Sequence, residues 1–437
     1  MENFNFTEEQ ALAEAKRCWN CPNPQCVKGC PVHTPIPKFI HEIVLGNYAG
    51  AAEMLLENNI FSPITCRVCA QERQCEGHCV QGIKGKSIAI GALEQFVHDY
   101  VKKNNIKVGE SKPDVKNGKK IAVIGGGPSG LTAAHELSRA GYAVTIFEKR
   151  EKLGGVLCYG IPKFRLSREF INEIIDKLKN QGVEFRAGFS INSVNDLEKL
   201  LQQDGYTAVY VATGTGKPMW MDIPGEKDYQ GVDDALAFLA QSNSANEREL
   251  AKLKEKYKGK TFVVIGAGNV AMDAARVAKR LGAGKVTIVY RRSEAEMPAR
   301  RDEIQYAKDD GVEFQLLTNP TAILGNAEKQ VTGIKCVKME LGEPDASGRR
   351  SPIPVPNSEF VIPADYVIYA LGQSPEILQD DKHKLNVSKK GNILVDEKGC
   401  SNLKNIYAGG DVVTGPETVV AAVQAAKVAA GTIKDNA

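Results

Sequence analysis

One local pattern occurs twice in this chain, and it restricts the fold more than any other feature. Lys120-Ile-Ala-Val-Ile124 reads as a short β-branched strand, Gly125-Gly-Gly127-Pro128-Ser129-Gly130 as a tight turn, and residues 131–140 as a helix; a second strand over 142–147 ends in Glu148. About 140 residues later Lys260-Thr-Phe-Val-Val-Ile265 leads into Gly266-Ala-Gly268-Asn269-Val270-Ala271, a helix over 272–281 and a strand over 286–290. The glycines let the backbone turn sharply and approach a pyrophosphate, whose charge the helix N-terminus favours. Strand, glycine triad and helix together predict two Rossmann-like dinucleotide-binding domains, hence an α/β protein of more than one domain.

The two copies end differently. In the first, the carboxylate of Glu148 is placed to accept from ribose hydroxyls. In the second, the strand runs into Arg291-Arg292. A guanidinium pair binds the 2′-phosphate that a carboxylate repels, so the second site is expected to take NADPH in preference to NADH. The rival reading of the two arginines is a solvated strand end.

Cysteine usage adds a third element. Of eleven cysteines, eight lie between Cys18 and Cys79, and only Cys158, Cys336 and Cys400 lie beyond. The spacings are Cys18-x2-Cys21-x4-Cys26-x3-Cys30-Pro31 and Cys66-x2-Cys69-x5-Cys75-x3-Cys79. Each resembles a stretched ferredoxin run, in which three sulfurs face one cubane and the cysteine before proline reaches the other. Crossing the runs gives one [4Fe-4S] cluster on Cys18, Cys21, Cys26 and Cys79, and a second on Cys30, Cys69, Cys75 and one further group, with Cys66 the obvious thiol. Two structural zinc ions are the alternative. His33 and His78, one beside each run, are not assigned as ligands.

Thr7-Glu8-Glu9-Gln10 has capping-box spacing and predicts a helix leading to Cys18. Apolar residues at helical spacing over 37–57 and 88–100 complete a small α-helical iron-sulfur domain, and residues 102–120 read as a linker. Fifty-six Lys and Arg against fifty-three Asp and Glu leave a net charge of +3, which disfavours a nucleic-acid-binding composition. No uncharged apolar run is long enough to span a bilayer, and the acidic N-terminus does not read as a secretory signal, so no membrane or nucleic-acid partner and a cytoplasmic location are expected.

Further segments carry a resemblance. Leu153-Gly154-Gly155-Val156, Val209-Tyr-Val-Ala-Thr213-Gly214, Val367-Ile-Tyr-Ala-Leu-Gly372 and Asn405-Ile-Tyr-Ala-Gly-Gly410-Asp411 resemble the two-dinucleotide-binding-domain flavoproteins. The resemblance implies FAD in the first unit, with Glu148, Lys149, Gly155, Val156, Thr213 and Gly214 around it. It also implies that Gly410 and Asp411 return to the ribityl chain, with Thr418 and Val419 near the ring. The nicotinamide unit, with Gly372 at its end, is then an insertion. The implied domains are 1–114 (helical), 115–230 with 373–437 (FAD) and 231–372 (NADPH).

Together with Gly268-Asn-Val-Ala-Met-Asp273, Tyr290-Arg-Arg292 and Met297-Pro-Ala-Arg300, the whole chain resembles the family of small, NADPH-oxidising subunits of bacterial glutamate synthase. The same module is similar to parts of dihydropyrimidine dehydrogenase and of NADH-dependent ferredoxin:NADP oxidoreductase. What this implies is an enzyme that passes hydride from NADPH to FAD, then single electrons through two clusters to a larger partner subunit that makes L-glutamate from glutamine and 2-oxoglutarate. The resemblance also places Glu94, in Ile90-Gly-Ala-Leu-Glu94, as the fourth ligand of the second cluster, with Gln95 next to it and Cys66 spare. Rival acceptors are a ferredoxin-linked subunit, a pyrimidine-reducing subunit or sulfur species. A thiol-disulfide reductase needs a cysteine pair where Cys158 stands alone, and a non-enzymatic electron-transfer scaffold is disfavoured by two intact glycine turns.

Overall fold

Hydrophobic strands followed at once by glycine turns and amphipathic helices assemble as parallel sheets with helices on their faces. The computed structural model describes residues 6–109, 115–346, 348–376, 378 and 384–436, and it contains two such sheets. Compact unit 1 comprises residues 1–157, 163–217 and 374–437; unit 2 comprises 158–162 and 218–373.

Unit 1 opens with short helices. Thr7 caps Glu8–Ala15 through the reciprocal Thr7 and Gln10 bonds expected from the spacing. The helical stretch expected over 37–57 is two helices, Ile36–Val44 and Tyr48–Asn58, because Leu45-Gly46 ends the first and the Asn47 side chain caps the second on Gly50 N-H. The linker expected over 102–120 begins after the helix Ile90–Lys103, and its residues 110–114 lie outside the described residues. Phe39, Ile43, Leu55, Leu93 and Val97 are fully buried between these helices. At about 1.5–3 kcal/mol for each large apolar side chain removed from water, such a core is what holds short helices together.

The sheet of unit 1 has the strand order Ile406–Ala408, Ala208–Val211, Lys120–Ile124, Ala143–Glu148, Glu184–Ala187, every pairing parallel. The first strand in sequence, Lys120–Ile124, is central, and order reverses on either side of it. Ligands of open parallel sheets bind beyond the carboxyl ends at such a switch point. The helix Pro128–Arg139 begins at Pro128, earlier than residue 131, since a proline in the first turn forfeits no hydrogen bond. It packs along the long C-terminal helix Val419–Asn436.

Unit 2 repeats the arrangement with Val232–Asp234, Tyr366–Tyr369, Thr261–Ile265, Lys285–Val289 and Glu313–Gln315, again all parallel. An antiparallel sheet not read from the sequence, of Thr318–Gly325, Val331–Pro344, Arg350–Pro354 and Phe360–Pro363, joins Glu313–Gln315 to Tyr366–Tyr369. Among the described residues no helix is long and apolar enough to cross a membrane.

Candidate functional site: a thiol-lined recess and two dinucleotide cradles

The cysteines come together in the crossed pattern. Helix Glu8–Ala15 delivers Cys18, the turn after it carries Cys21, the short helix Gln25–Lys28 carries Cys26, and Cys79 arrives from the distant run. These four cysteines line one open recess, walled otherwise by Trp19, Gln25, Gln81 and apolar residues. Burial pushes the Cys26 thiol up to about 11 and raises Cys18, helped by the charges of Cys79 and their other neighbours. Among the described residues no three His, Cys, Asp or Glu side chains converge tightly enough to hold one ion. Four thiols, with no carboxylate or imidazole among the recess-lining residues, are a donor set that a cubane takes, its ligands spread over separate irons. The donor set fits the cluster.

Around the second quartet, burial raises Cys75 well above the usual thiol range, and the charges of Glu76, Cys69, Glu94 and Cys30 all bear on it. Cys69 caps the helix Ser62–Val68, and Glu94 lies one turn into Ile90–Lys103. Burial raises the Glu94 carboxyl to about 7, opposed by a 2.5 Å hydrogen bond from Ser62 Oγ and by the Arg67 guanidinium. Ser62 Oγ also lies 2.7 Å from His98 Nε2, whose pKa burial depresses to about 3, so that the ring is neutral. Cys66 is occupied otherwise: its sulfur accepts from Arg67 Nη1 at 3.1 Å and lies 3.4 Å from Pro63 O. Arg67 reaches on to Asp99 and stacks 4.2 Å over the Phe170 ring, and Gln95 donates to Asp99. Neither His33, exposed with Nδ1 3.3 Å from Val27 O, nor His78, exposed with Nδ1 2.6 Å from Gln74 O, faces this group.

The first cradle lies at the carboxyl edge of its sheet. Gly125 turns with φ +109°, and a Cβ there would stand 2.3 Å from Ala212 O, so the turn presses against the end of the neighbouring strand. Glu148 accepts from Gly126 N at 2.7 Å and from Arg150 N at 2.9 Å, which fixes its carboxylate beside the turn with lone pairs to spare. Gly155 lies against Gly127, held by Gly154 N donating to Gly126 O at 2.7 Å, and Val156 opens a short helix. Thr213 Oγ1 is buried without a hydrogen-bond partner, next to Gly214 and the turn. Such an orphaned hydroxyl is what a cofactor contact leaves behind. From the strand Ile406–Ala408, Gly410 packs on Ser129, and Asp411 follows, its carboxyl raised to about 6 by burial. Thr418 caps the helix Val419–Asn436 by accepting from Ala421 N at 3.3 Å. Lys149 is exposed and ion-paired to Glu376 at 2.7 Å. Tyr210, not singled out from the sequence, bonds Ser129 Oγ at 2.7 Å and lies under Gly409; a tyrosine inside an apolar strand carries no local signal of that role.

The second cradle repeats the contact: a Cβ on Gly266, at φ +127°, would stand 2.4 Å from Ala370 O, two residues before Gly372. Here Met297-Pro-Ala-Arg300 folds over the turn, with Ala299 N donating to Ala267 O at 3.1 Å and Arg300 N to Asn269 Oδ1 at 2.9 Å. Gly268 lies below Pro298, and Val270 is part-exposed. The two arginines part company. Arg291 is exposed, with no ion pair among the described residues. Arg292 is buried, its Nη2 paired with Asp345 at 2.6 Å and its Nε donating to Arg350 O at 2.7 Å. Asp345 lies in a hairpin turn some fifty residues away, and nothing in its local sequence marks it.

Two nucleotide cradles on parallel sheets, with thiols gathered in a helical module, define a dinucleotide-dependent redox protein. The family model of pyridine nucleotide-disulphide oxidoreductases matches residues 119–426, and that of dihydropyrimidine dehydrogenase domain II, 4Fe-4S cluster, matches residues 2–106. The chain is 37% identical over 442 residues to the glutamate synthase [NADPH] small chain of Escherichia coli, covering 97% of this chain and 91% of that one. It is 38% identical over 421 residues to the NADP(+)-dependent formate dehydrogenase subunit beta of Moorella thermoacetica, covering 91% of this chain but 58% of that one, less than two thirds of its length. Mycobacterium tuberculosis FprA, solved in complex with NADPH, shares the fold with a TM-score of 0.59 at 22% identity, over 73% of this chain and 84% of that one. The chain belongs to the pyridine nucleotide-disulphide oxidoreductase family, in the group that carries an N-terminal 4Fe-4S module and includes the small chains of NADPH-dependent glutamate synthase. It is an oxidoreductase that uses a flavin, a nicotinamide nucleotide and iron-sulfur chemistry.

Proposed function

We propose that the chain is an electron-input subunit: it oxidises NADPH in the 231–372 domain, holds FAD in the split 115–230 and 373–437 domain, and sends electrons through two [4Fe-4S] clusters in the 1–114 domain to a larger partner, the large subunit of glutamate synthase. The observation that carries this reading is that unit 1 builds the first dinucleotide cradle and both thiol groups together. The helix Ser62–Val68, capped by Cys69, packs on Arg168–Asn180 and Val419–Asn436 of that unit. Alignment with a glutamate synthase small chain over nearly the full length of both chains supports the choice of partner.

Bound in the first cradle, a flavin supplies the exchange between a two-electron hydride and single electrons, which NADPH and an iron-sulfur cluster cannot make directly. The chain's residues position and exclude. The N-terminus of Pro128–Arg139 presents N-H groups to a pyrophosphate, Glu148 is held for the ribose, and Thr213 and Asp411 offer buried polar atoms along the cofactor. Cys18, Cys21, Cys26 and Cys79 hold one cluster, and Cys30, Cys69, Cys75 and Glu94 the other, with Ser62 orienting the Glu94 carboxylate. Asn269 braces the loop over the second turn, and Arg291 meets the 2′-phosphate while Arg292 anchors the strand end to Asp345.

Anaerobic titration of the reconstituted protein tests this. NADPH is expected to bleach the flavin and then the broad cluster absorbance, with NADH far weaker. Bleaching by neither nucleotide, or flavin reduction that never reaches the clusters, refutes it.

A further inference from the structure

The two chain segments that frame the first thiol recess have an unusual charge. Residues 15–41 carry Lys16, Arg17, Lys28 and Lys38, residues 77–93 carry Lys84 and Lys86, and neither contains an Asp or Glu. Stretches of that combined length would hold about five acids at the chain's average frequency. The segments are tied together at the recess. Arg17 Nη2 donates to Lys86 O at 2.6 Å, and the side chain of Gln81 donates back to Arg17 O. Arg17 is itself neutralised by Glu14 at 2.7 Å, which leaves Lys16, Lys84 and Lys86 as exposed cations on the rim.

Large apolar side chains stand out on the same rim. Trp19, between the ligand positions Cys18 and Cys21, is 67% exposed although it also lines the recess; Ile83, at the end of the turn that follows Cys79, is 78% exposed. An exposed tryptophan in the recess wall, on segments whose exposed charges are lysines, has the composition of an interface hot spot with a charged rim.

We propose that the face formed by Trp19, Ile83, Lys16, Lys84 and Lys86 is the docking surface for the acidic face of a one-electron redox protein, which takes its electrons from the first thiol quartet. This rests on the electron-input reading above and goes beyond it, naming a soluble one-electron carrier as an acceptor besides the larger partner subunit. Charge complementarity selects the occupant: a lysine-bearing rim whose neighbouring acid, Glu14, is taken up by Arg17 and Ala89 N attracts an acidic surface and repels a basic one, with Trp19 as its apolar contact. Each turnover balances as one NADPH losing a hydride to become NADP⁺, two acceptor proteins gaining one electron each, and one proton released.

The test uses the full, reconstituted chain and a purified acidic two-cluster ferredoxin as probe. The second-order rate constant for NADPH-driven ferredoxin reduction is expected to fall steeply with ionic strength. In the double variant Lys84→Glu/Lys86→Glu it should drop by about tenfold or more at low salt and lose most of its salt dependence. Trp19→Ala should weaken docking at every salt concentration. Iron content and flavin bleaching by NADPH should be unchanged in the lysine variant, and its reduction of the small cation hexaammineruthenium(III) should not slow. A wild-type rate indifferent to salt, or a lysine variant that keeps the wild-type rate, overturns the docking surface. So does sedimentation showing that this face pairs two copies of the chain. Failure of the flavin to bleach in the wild type would instead sink the underlying function.

Discussion

Gly410→Ala isolates what the returning C-terminal strand contributes to the first cradle. Gly410 sits at φ +76° and ψ −158°, a region almost closed to residues with a Cβ, where occupancy costs about 1–3 kcal/mol. The added methyl would also stand 2.8 Å from Ser129 Cβ and 3.0 Å from Ser129 Oγ. Ser129 cannot give way easily, because it lies in the first turn of Pro128–Arg139 and its hydroxyl is engaged by Tyr210. Overpacking of that kind adds about 1–3 kcal/mol, so the substitution should destabilise unit 1 by about 4 kcal/mol. Gly182→Ala is the control: its φ is +82° but nothing lies within 4 Å of the new Cβ, leaving only the backbone term of about 1–2 kcal/mol. At about 2 °C per kcal/mol in a unit of this size, calorimetry should show the unit 1 transition lowered by about 8 °C for Gly410→Ala and by about half that or less for Gly182→Ala. Flavin content should fall only in the first. Equal shifts in the two variants, or full flavin retention in Gly410→Ala, would refute the argument that the turn is packed against the cofactor helix.

Three further outcomes follow from the geometry. Burial holds the Asp411 carboxyl at about 6 against an ordinary 3.8, so the native state takes up the proton first and the cofactor-free protein loses stability as pH rises from about 4 to about 6; Asp411→Asn should recover at most about 3 kcal/mol at pH 7.5 and nothing below pH 4, read as unfolding midpoints at both, while flavin affinity falls. Cys66→Ala should retain all iron and labile sulfide, whereas Cys75→Ala should lose that of the second quartet alone; equal losses would place Cys66 among the ligands. Arg291→Ala should raise KM for NADPH about tenfold and leave that for NADH unchanged, the loss of a charge-assisted bond of about 1.5 kcal/mol; Arg292→Ala should instead lower the thermal transition of unit 2, since it strands Asp345.

The glycine turns were legible because every part of that signal is local: strand, turn, helix and terminal acid or base lie within about thirty residues. The two cysteine runs stand out for a similar reason, since their short spacings are local, whereas the approach of Cys79 to Cys18, Cys21 and Cys26 in one recess is tertiary. What escaped was tertiary. Arg291 and Arg292 are neighbours in sequence with one shared expectation, yet in the bend after the strand one faces solvent and the other enters an ion pair with a distant hairpin. The antiparallel sheet over 318–363 has irregular alternation and register shifts at Pro320 and Leu341, which blur the period-two pattern. Ser62 gained its bonds to Glu94 and to His98 only when two helices met, and a serine beside a proline carries no hint of it.

The interrupted layout of unit 1 also bears on how the chain matures. Its sheet is closed on one side by Ile406–Ala408, a strand made after the whole of unit 2 has been synthesised. On a ribosome moving at about 5–20 residues per second, the edge of Ala208–Val211 waits roughly ten to forty seconds for its partner, while unit 2 already has nearly all of its own strands. That nascent edge is an invitation to wrong pairing. With FAD in the first cradle as proposed, the glycine-aspartate turn that would complete it arrives with the same late strand, so cofactor capture and closure of the sheet would become one event, and free flavin in the cell would act as a folding ligand at the last step of synthesis.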